Sequence, residues 1–344
     1  MSRTDAAGFA ETIVWAAGGA CLLLFLHVPA GALVGAMVGT AAASLIGRPM
    51  TAPPKVYAGL LALMGVATGA SVTPDALKAA GTWPLSIALL VVATIVLCGA
   101  GFLVFRRLGR CDTATAFYAS APGALSAVLA LAQADGADMS RVAVAQSLRL
   151  LALACVAPFA LAGAHTFVPP TPPEGGLTGL AGWGLLIAAS ALGWLAAARL
   201  KWPSAPFLGP MAGSGLVHLT GVVGVAMPHL VVTLAGAGLG ALVGTRFRGV
   251  SPGALMRFLP VSLAALGVMA LVGLSAGWLA GRMTGVGPAA GMLAFAPGSL
   301  DVMVAIAVAL NANPAYVAAH HTTRFLGLIG ALPWLAQKLR PKAA

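Results

Sequence analysis

Two proline–glycine pairs, two arginines and four polar side chains are the residues whose types and spacing suggest chemistry in this 344-residue chain. Pro122-Gly123 and Pro297-Gly298 interrupt apolar runs that otherwise suit helices. Proline removes a backbone donor and glycine permits an unusual φ, so each pair breaks a helix. A proline near a helix start suits the first helical position. The amides of Leu125 and Ser126, and of Leu300 and Asp301, would then face the protein centre, and such a helix start attracts anions or carboxylates. Arg149 lies eight residues after Arg141, and Arg324 ten after Pro314. At about 1.5 Å per residue each sits roughly 12–15 Å along its segment. A lone arginine that deep in an apolar medium costs at least about 3 kcal/mol, so it must pair or face a polar cavity. Gln146 and His321 precede the arginines by three residues and share their helix faces. Two uses follow: binding an anionic solute or coupling to a proton, or bracing carbonyls freed by the adjacent break. Asp301, where the other copy has Ser126, could complement a helix dipole, pair with Arg324 or Arg149, or titrate.

These residues recur because the elements holding them recur. Residues 121–158 and 296–333 align without a gap at an offset of 175, with 14 of 38 positions identical. Composition alone would give roughly four. The identities include Ala121, Pro122, Gly123, Leu125, Arg149 and Pro158 against Ala296, Pro297, Gly298, Leu300, Arg324 and Pro333. PAGALVGAMVG (29–39) likewise resembles PSAPFLGPMAG (203–213).

The chain is 60% hydrophobic and 8% charged, with a mean hydropathy of +0.96. A soluble domain carries about 25% charge, so the solvent of this chain must be lipid. The net charge of +11 comes from residues at segment ends, such as Arg106, Arg107, Arg110, Arg246, Arg248 and Arg257. Such placement anchors a topology against anionic lipid, and no aromatic-interleaved basic patch suggests direct nucleic-acid binding.

Six apolar segments lie in each half: 10–27, 30–46, 56–72, 83–105, 113–134 and 141–163, then 181–199, 205–222, 229–246, 257–280, 286–310 and 315–337. Residues 12–26 resemble a signal-peptide core, but their counterpart at 183–200 makes them part of the mature fold. Residues 1–164 form a first repeat, the Pro/Gly-rich 165–180 a linker, and 181–344 a second repeat. If all segments crossed, the positive loops 106–112 and 246–257 would lie on opposite faces. If 113–134 and 286–310 each enter and leave on one side, every strongly positive loop shares a face with both termini. The expected fold is an all-α polytopic membrane protein with about ten spanning helices, two Pro/Gly-broken or re-entrant segments, and two inverted repeats. Full crossing of the broken segments is the alternative.

Other chemistries lack their residues. His320 and His321 diverge by about 100° around a helix, and no HxxxH or carboxylate cluster accompanies them. Cys21, Cys98, Cys111 and Cys155 are scattered, with neither a disulfide framework nor a CxxC pair. No serine-nucleophile, P-loop or dinucleotide fingerprint is present. No metal, cofactor or catalytic set is expected. Gly35/Gly39 and Gly240/Gly244 indicate close helix packing.

The blocks APGALSAVLALAQADGADMSRVAVAQSLRLL and APGSLDVMVAIAVALNANPAYVAAHHTTRFL resemble the paired blocks of the bacterial AbrB-type membrane-duplication family. The resemblance covers essentially the whole chain and concerns a multi-span family, distinct from the small DNA-binding regulator of the same name. It implies a bacterial inner-membrane protein, with Pro122, Gly123, Arg149, Pro297, Gly298 and Arg324 as the recurring positions. The family's usual Gly-Gly after proline is Gly-Ala and Gly-Ser here, and its frequent glutamate after the first motif is Ser126. Family members carry names for regulation of gene expression or for ammonia monooxygenase. The latter needs copper or iron ligands that this polar inventory does not supply. The residues point to a secondary transporter or sensor of a small anionic solute, moving with a proton or sodium. Arg149 and Arg324 would hold the charge, and Asp301 or His321 the proton. Self-association into a homo-oligomer is compatible with this reading. A non-transporting regulator working through a partner is the alternative.

Overall fold

A computed structural model describes residues 3–123, 125–161 and 176–339. Most of the proposed linker (165–175) therefore lies outside the described residues, as do the side chains of Leu125, Ser126 and Ala127. The chain is helical throughout, and its one extended feature among the described residues is an isolated bridge between Leu177 and Val223.

The first half holds α1 (Arg3–Phe25), α2 (Gly31–Leu45), α3 (Pro54–Gly69), α4 (Pro74–Ala80), α5 (Trp83–Arg107), α6 (Thr113–Ser120), α7 (Leu125–Ala134) and α8 (Met139–Ala160). The second holds α9 (Gly179–Arg199), α10 (Ala205–Leu219), α11 (His229–Gly244), α12 (Pro252–Thr284), α13 (Pro288–Phe295), α14 (Leu300–Ala309) and α15 (Pro314–Leu339). Six stretches are long and apolar enough to cross a membrane: Asp5–Phe25, Trp83–Arg107, Met139–Ala160, Gly179–Arg199, His229–Phe247 and Pro252–Thr284. α2, α3 and α10 have 15 or 16 residues, about 24 Å at most, short of a ~30 Å hydrocarbon core. α15 is long enough but carries His320, His321, Thr322, Thr323 and Arg324 in succession.

Backbone-close crossings hold the short helices in place. A Cβ on Gly35 would come within 2.2 Å of the Gly19 carbonyl oxygen, and one on Gly209 within 2.6 Å of that of Gly193. A Cβ on Gly240 would come within 2.2 Å of the Leu33 oxygen, and one on Gly65 within 2.3 Å of that of Phe207. Only glycine permits this approach. The same contacts align side-chain bonds across the halves. The Thr40 hydroxyl on α2 donates to the Ala241 carbonyl on α11 (3.0 Å). The Ser214 hydroxyl on α10 donates to the Val66 carbonyl on α3 (2.8 Å).

Each Pro-Gly pair separates two short helices, α6 from α7 and α13 from α14. Tyr118 on α6 meets Gln146 on α8, and Ala121 meets Arg149. Leu293 on α13 meets His321 on α15, and Phe295 meets Arg324. α6 thus runs alongside α8 in the same direction, as α13 does with α15, so α7 and α14 must carry the chain back. The amide of Asp138, just past α7, accordingly donates to Thr115 Oγ1 near the start of α6 (2.8 Å).

Two expectations need correction. Neither proline occupies the first helical position: α7 and α14 begin three residues later, at Leu125 and Leu300, with Ser299 as the N-cap of α14. The intervening residues turn the chain before the helix resumes. Gly123 has φ +82°, as a break of this kind requires, but Gly298 does not share that conformation. At Gly298 the constraint is space, because a Cβ would lie 2.8 Å from the Met303 side chain.

Candidate functional site

Breaking a helix leaves carbonyl groups without their usual donors. In the first half the side chains of α8 supply them. Gln146 Nε2 donates to the carbonyls of Tyr118 (2.9 Å) and Ala121 (2.8 Å). Arg149 donates from Nη1 to Ala119 (3.3 Å) and from Nη2 to Ala121 (3.0 Å). Arg149 Nη2 also donates to Gln146 Oε1.

The second half repeats this arrangement with a different residue. His321 Nε2 donates to the Leu293 carbonyl (2.9 Å), and Leu293 is the counterpart of Tyr118. Arg324 Nη2 donates to His321 Nδ1 (2.8 Å) and to the Gly298 carbonyl (3.1 Å), and Nη1 to Phe295 (3.3 Å). Because arginine can only donate, His321 Nδ1 must accept. A carbonyl can only accept, so Nε2 carries the proton. The partners therefore hold His321 as the neutral Nε2–H tautomer. The imidazole stands in for the Gln146 amide, acceptor for acceptor and donor for donor. Both arginines are buried, at 4% and 5% exposure, and both act as internal braces.

Asp301 is buried in the first turn of α14. Its carboxylate accepts a hydrogen bond from the Tyr57 hydroxyl on α3 (2.9 Å). It forms no ion pair with Arg149 or Arg324 among the described residues. The carbonyls of the two breaks already occupy the guanidinium forks, which is why the expected pairing does not occur.

A cavity of about 510 Å³ lies between the two breaks. Pro122, Gly123, Gln146 and Arg149 line it from the first half, and Gly298, Asp301, His321 and Arg324 from the second. Pro297 is not on its wall, and the Ser126 side chain lies outside the described residues. Tyr57, Ser204, Arg246, Ser299 and Thr322 complete the polar lining. None of these five was a site residue expected from the sequence.

Four of the lining residues carry an unused polar atom. Arg149 Nε, Arg246 Nη1, Ser299 Oγ and Thr322 Oγ1 are buried without a hydrogen-bond partner, and all four residues line the cavity. Leaving such groups unmade costs about 1–3 kcal/mol each. Ser299 is conspicuous, since an N-cap serine ordinarily binds the amide two or three residues on, and here it makes no such bond. Three guanidinium groups against one carboxylate give the lining a formal charge of +2 (3 − 1). A cavity within the ordinary small-molecule range, positively charged and short of acceptors, suits an anion carrying several oxygen atoms.

The AbrB family, described as "Transition state regulatory protein AbrB", matches residues 33–340 of this chain. A protein of Escherichia coli (strain K12) named "Putative regulator AbrB" is 27% identical over 329 residues, covering 91% of both chains. A protein of Bacillus subtilis (strain 168) named "Uncharacterized protein YhjN" is 26% identical over 348 residues, covering 93% of this chain and 90% of its own. No solved structure matches.

Proposed function

We propose, from the premise that this chain belongs to the AbrB family, that it is an inner-membrane protein binding a small anionic solute between its broken helices, and that it carries that solute across the bilayer. The observation that carries this reading is one cavity of net charge +2, four of whose lining residues hold a buried polar atom without a partner. Arg149 and Arg324 serve first as braces. Arg246, outside both braces, adds a third guanidinium to the lining. Asp301, held by Tyr57, is the one carboxylate among the described lining residues. His321 is committed on both ring nitrogens and serves the brace.

The transport reading includes the inverted-repeat plan: ten crossings, two re-entrant hairpins and both termini in the cytoplasm. Three observations support it. The glycine crossings recur at a near-constant offset, the Thr40–Ala241 and Ser214–Val66 bonds are reciprocal, and each hairpin returns toward its own start. Alternating access would then move one repeat against the other around the fixed cavity.

Reconstituted liposomes test this with a panel of labelled mono- and dicarboxylic acids and amino acids. We expect uptake of at least one acid. Arg246→Gln, outside both braces, should lower uptake at least about ten-fold while the protein stays folded. A panel that is neither transported nor shifts the unfolding temperature ends the proposal.

A second reading is favoured by the name of the Escherichia coli relative, which calls that protein a regulator. The same cavity could sense the solute and signal through a partner protein. Stabilisation by an acid without flux would select this reading. The oxygenase reading has less support: among the described residues no three His, Cys, Asp or Glu side chains gather as a metal site would need.

A further inference from the structure

A second cavity, of about 540 Å³, lies away from the central site, where the start of α8, the loop after α5 and the first turns of α12 meet. Arg141 and Ser140 form one wall, Arg257 and Phe258 another, and Leu108, Val144 and Val261 supply apolar surface. Arg141 is oriented by three contacts. Its Nε donates to Asp138 Oδ2 at 3.2 Å, its Nη1 to Cys111 Sγ at 3.8 Å, and its guanidinium lies 5.8 Å from the Phe258 ring centroid. Arg257 is exposed and has no hydrogen-bond or ion-pair partner among the described residues. With Arg106 and Arg107 in the last turn of α5 and Arg110 in the loop after it, the neighbourhood holds five arginines and two aspartates, Asp112 and Asp138, a formal +3 (5 − 2).

The surroundings are apolar and open. Leu108 and Met256 are each 64% exposed beside this charge, and Leu103 on α5 and Leu263 on α12 continue the apolar surface along two packed helices. α12 has 33 residues, about 50 Å, against a hydrocarbon core of ~30 Å. The helix outreaches the core, and its basic N-terminal turns, with Arg257, suit headgroup depth. A soluble anion would find the charge here but would have no use for the adjoining apolar track. An anionic phospholipid fits both.

We propose that this cleft is a binding site for an anionic phospholipid, with its phosphate between Arg141 and Arg257 and its acyl chains along α5 and α12. Arg141 lies eight residues, about two turns, before Arg149 on α8. An occupied cleft therefore ties the helix that braces the central site to α12.

Native mass spectrometry of the full chain in detergent tests this, with phosphatidylglycerol and phosphatidylcholine of matched acyl chains as probes. Phosphatidylglycerol should be retained and phosphatidylcholine lost. A basic side chain near anionic lipid is worth about five-fold in binding. Arg257→Gln should lower phosphatidylglycerol occupancy by about that factor, and Arg257→Lys should restore most of it. Arg257 makes no protein bond, so the variant should keep the wild-type unfolding temperature. Equal retention of the two lipids, or an Arg257→Gln variant that binds like wild type, overturns the proposal. Displacement of the lipid by an equal concentration of glycerol phosphate would also overturn it, because the site would then read a soluble phosphate.

Discussion

Exchanging His321 for the residue of its counterpart tests the brace directly. In the first half a glutamine accepts from the arginine and donates to the Tyr118 carbonyl. In the second half His321 does both for Arg324 and Leu293. His321→Gln can therefore keep both bonds, whereas His321→Leu keeps the packing and loses both. The leucine variant leaves a buried carbonyl without its donor, at about 1–3 kcal/mol. It also removes an acceptor from a buried guanidinium, and a bond to a charged group is worth about 1.5–3 kcal/mol. The sum is about 3–6 kcal/mol, against less than about 1 kcal/mol for glutamine. For a chain of this size 1 kcal/mol moves the unfolding temperature by roughly 1–2 °C, scaling the entropy of unfolding per residue. His321→Leu should thus unfold about 3–12 °C below wild type in a nanodisc thermal scan, and His321→Gln within about 2 °C of it. If glutamine proves as damaging as leucine, or leucine as mild as glutamine, the two halves do not share a brace and the assignment of the neutral tautomer fails.

Gly35→Val and Gly240→Val should each cost at least about 1–3 kcal/mol by forcing backbones apart, whereas Gly99→Ala, where an added Cβ meets nothing within 4 Å, should stay within about 0.5 kcal/mol; thermal scans compare the three. Single cysteines at Gly136 and Asn311, in a background lacking the native cysteines, should react with membrane-impermeant reagents from opposite faces, and labelling from one face would remove the inverted plan. Asp112 caps α6, and although desolvation pushes its carboxyl upward, bonds from the Thr115 hydroxyl (2.5 Å) and amide (2.8 Å) outweigh it and hold the carboxyl below its ordinary value. A depressed carboxylate contributes stability above its unfolded value that is lost as pH falls, so Asp112→Ala should cost about 0.5–2 kcal/mol at neutral pH and less in acid.

The sequence by itself placed the apolar segments and the two breaks. Each rests on local chemistry: apolar length, and residues that cannot continue a helix. It also named eight of the residues that line the cavity, among them Gln146, Arg149, His321 and Arg324, which sit on known helix faces behind the breaks. It left bracing and binding as equal uses for the arginines, since a buried charge states only that it needs partners.

The tertiary structure decided what those partners are. The freed carbonyls take the guanidinium forks, so Asp301 turns instead to Tyr57, 244 residues away in sequence. Tyr57 and Arg246 lie outside the paired blocks, and with Ser299 and Thr322 they become a site only because separate helices bring them to one space. Whether a donor is satisfied depends on what packs against it in space, and spacing along the chain does not contain that information.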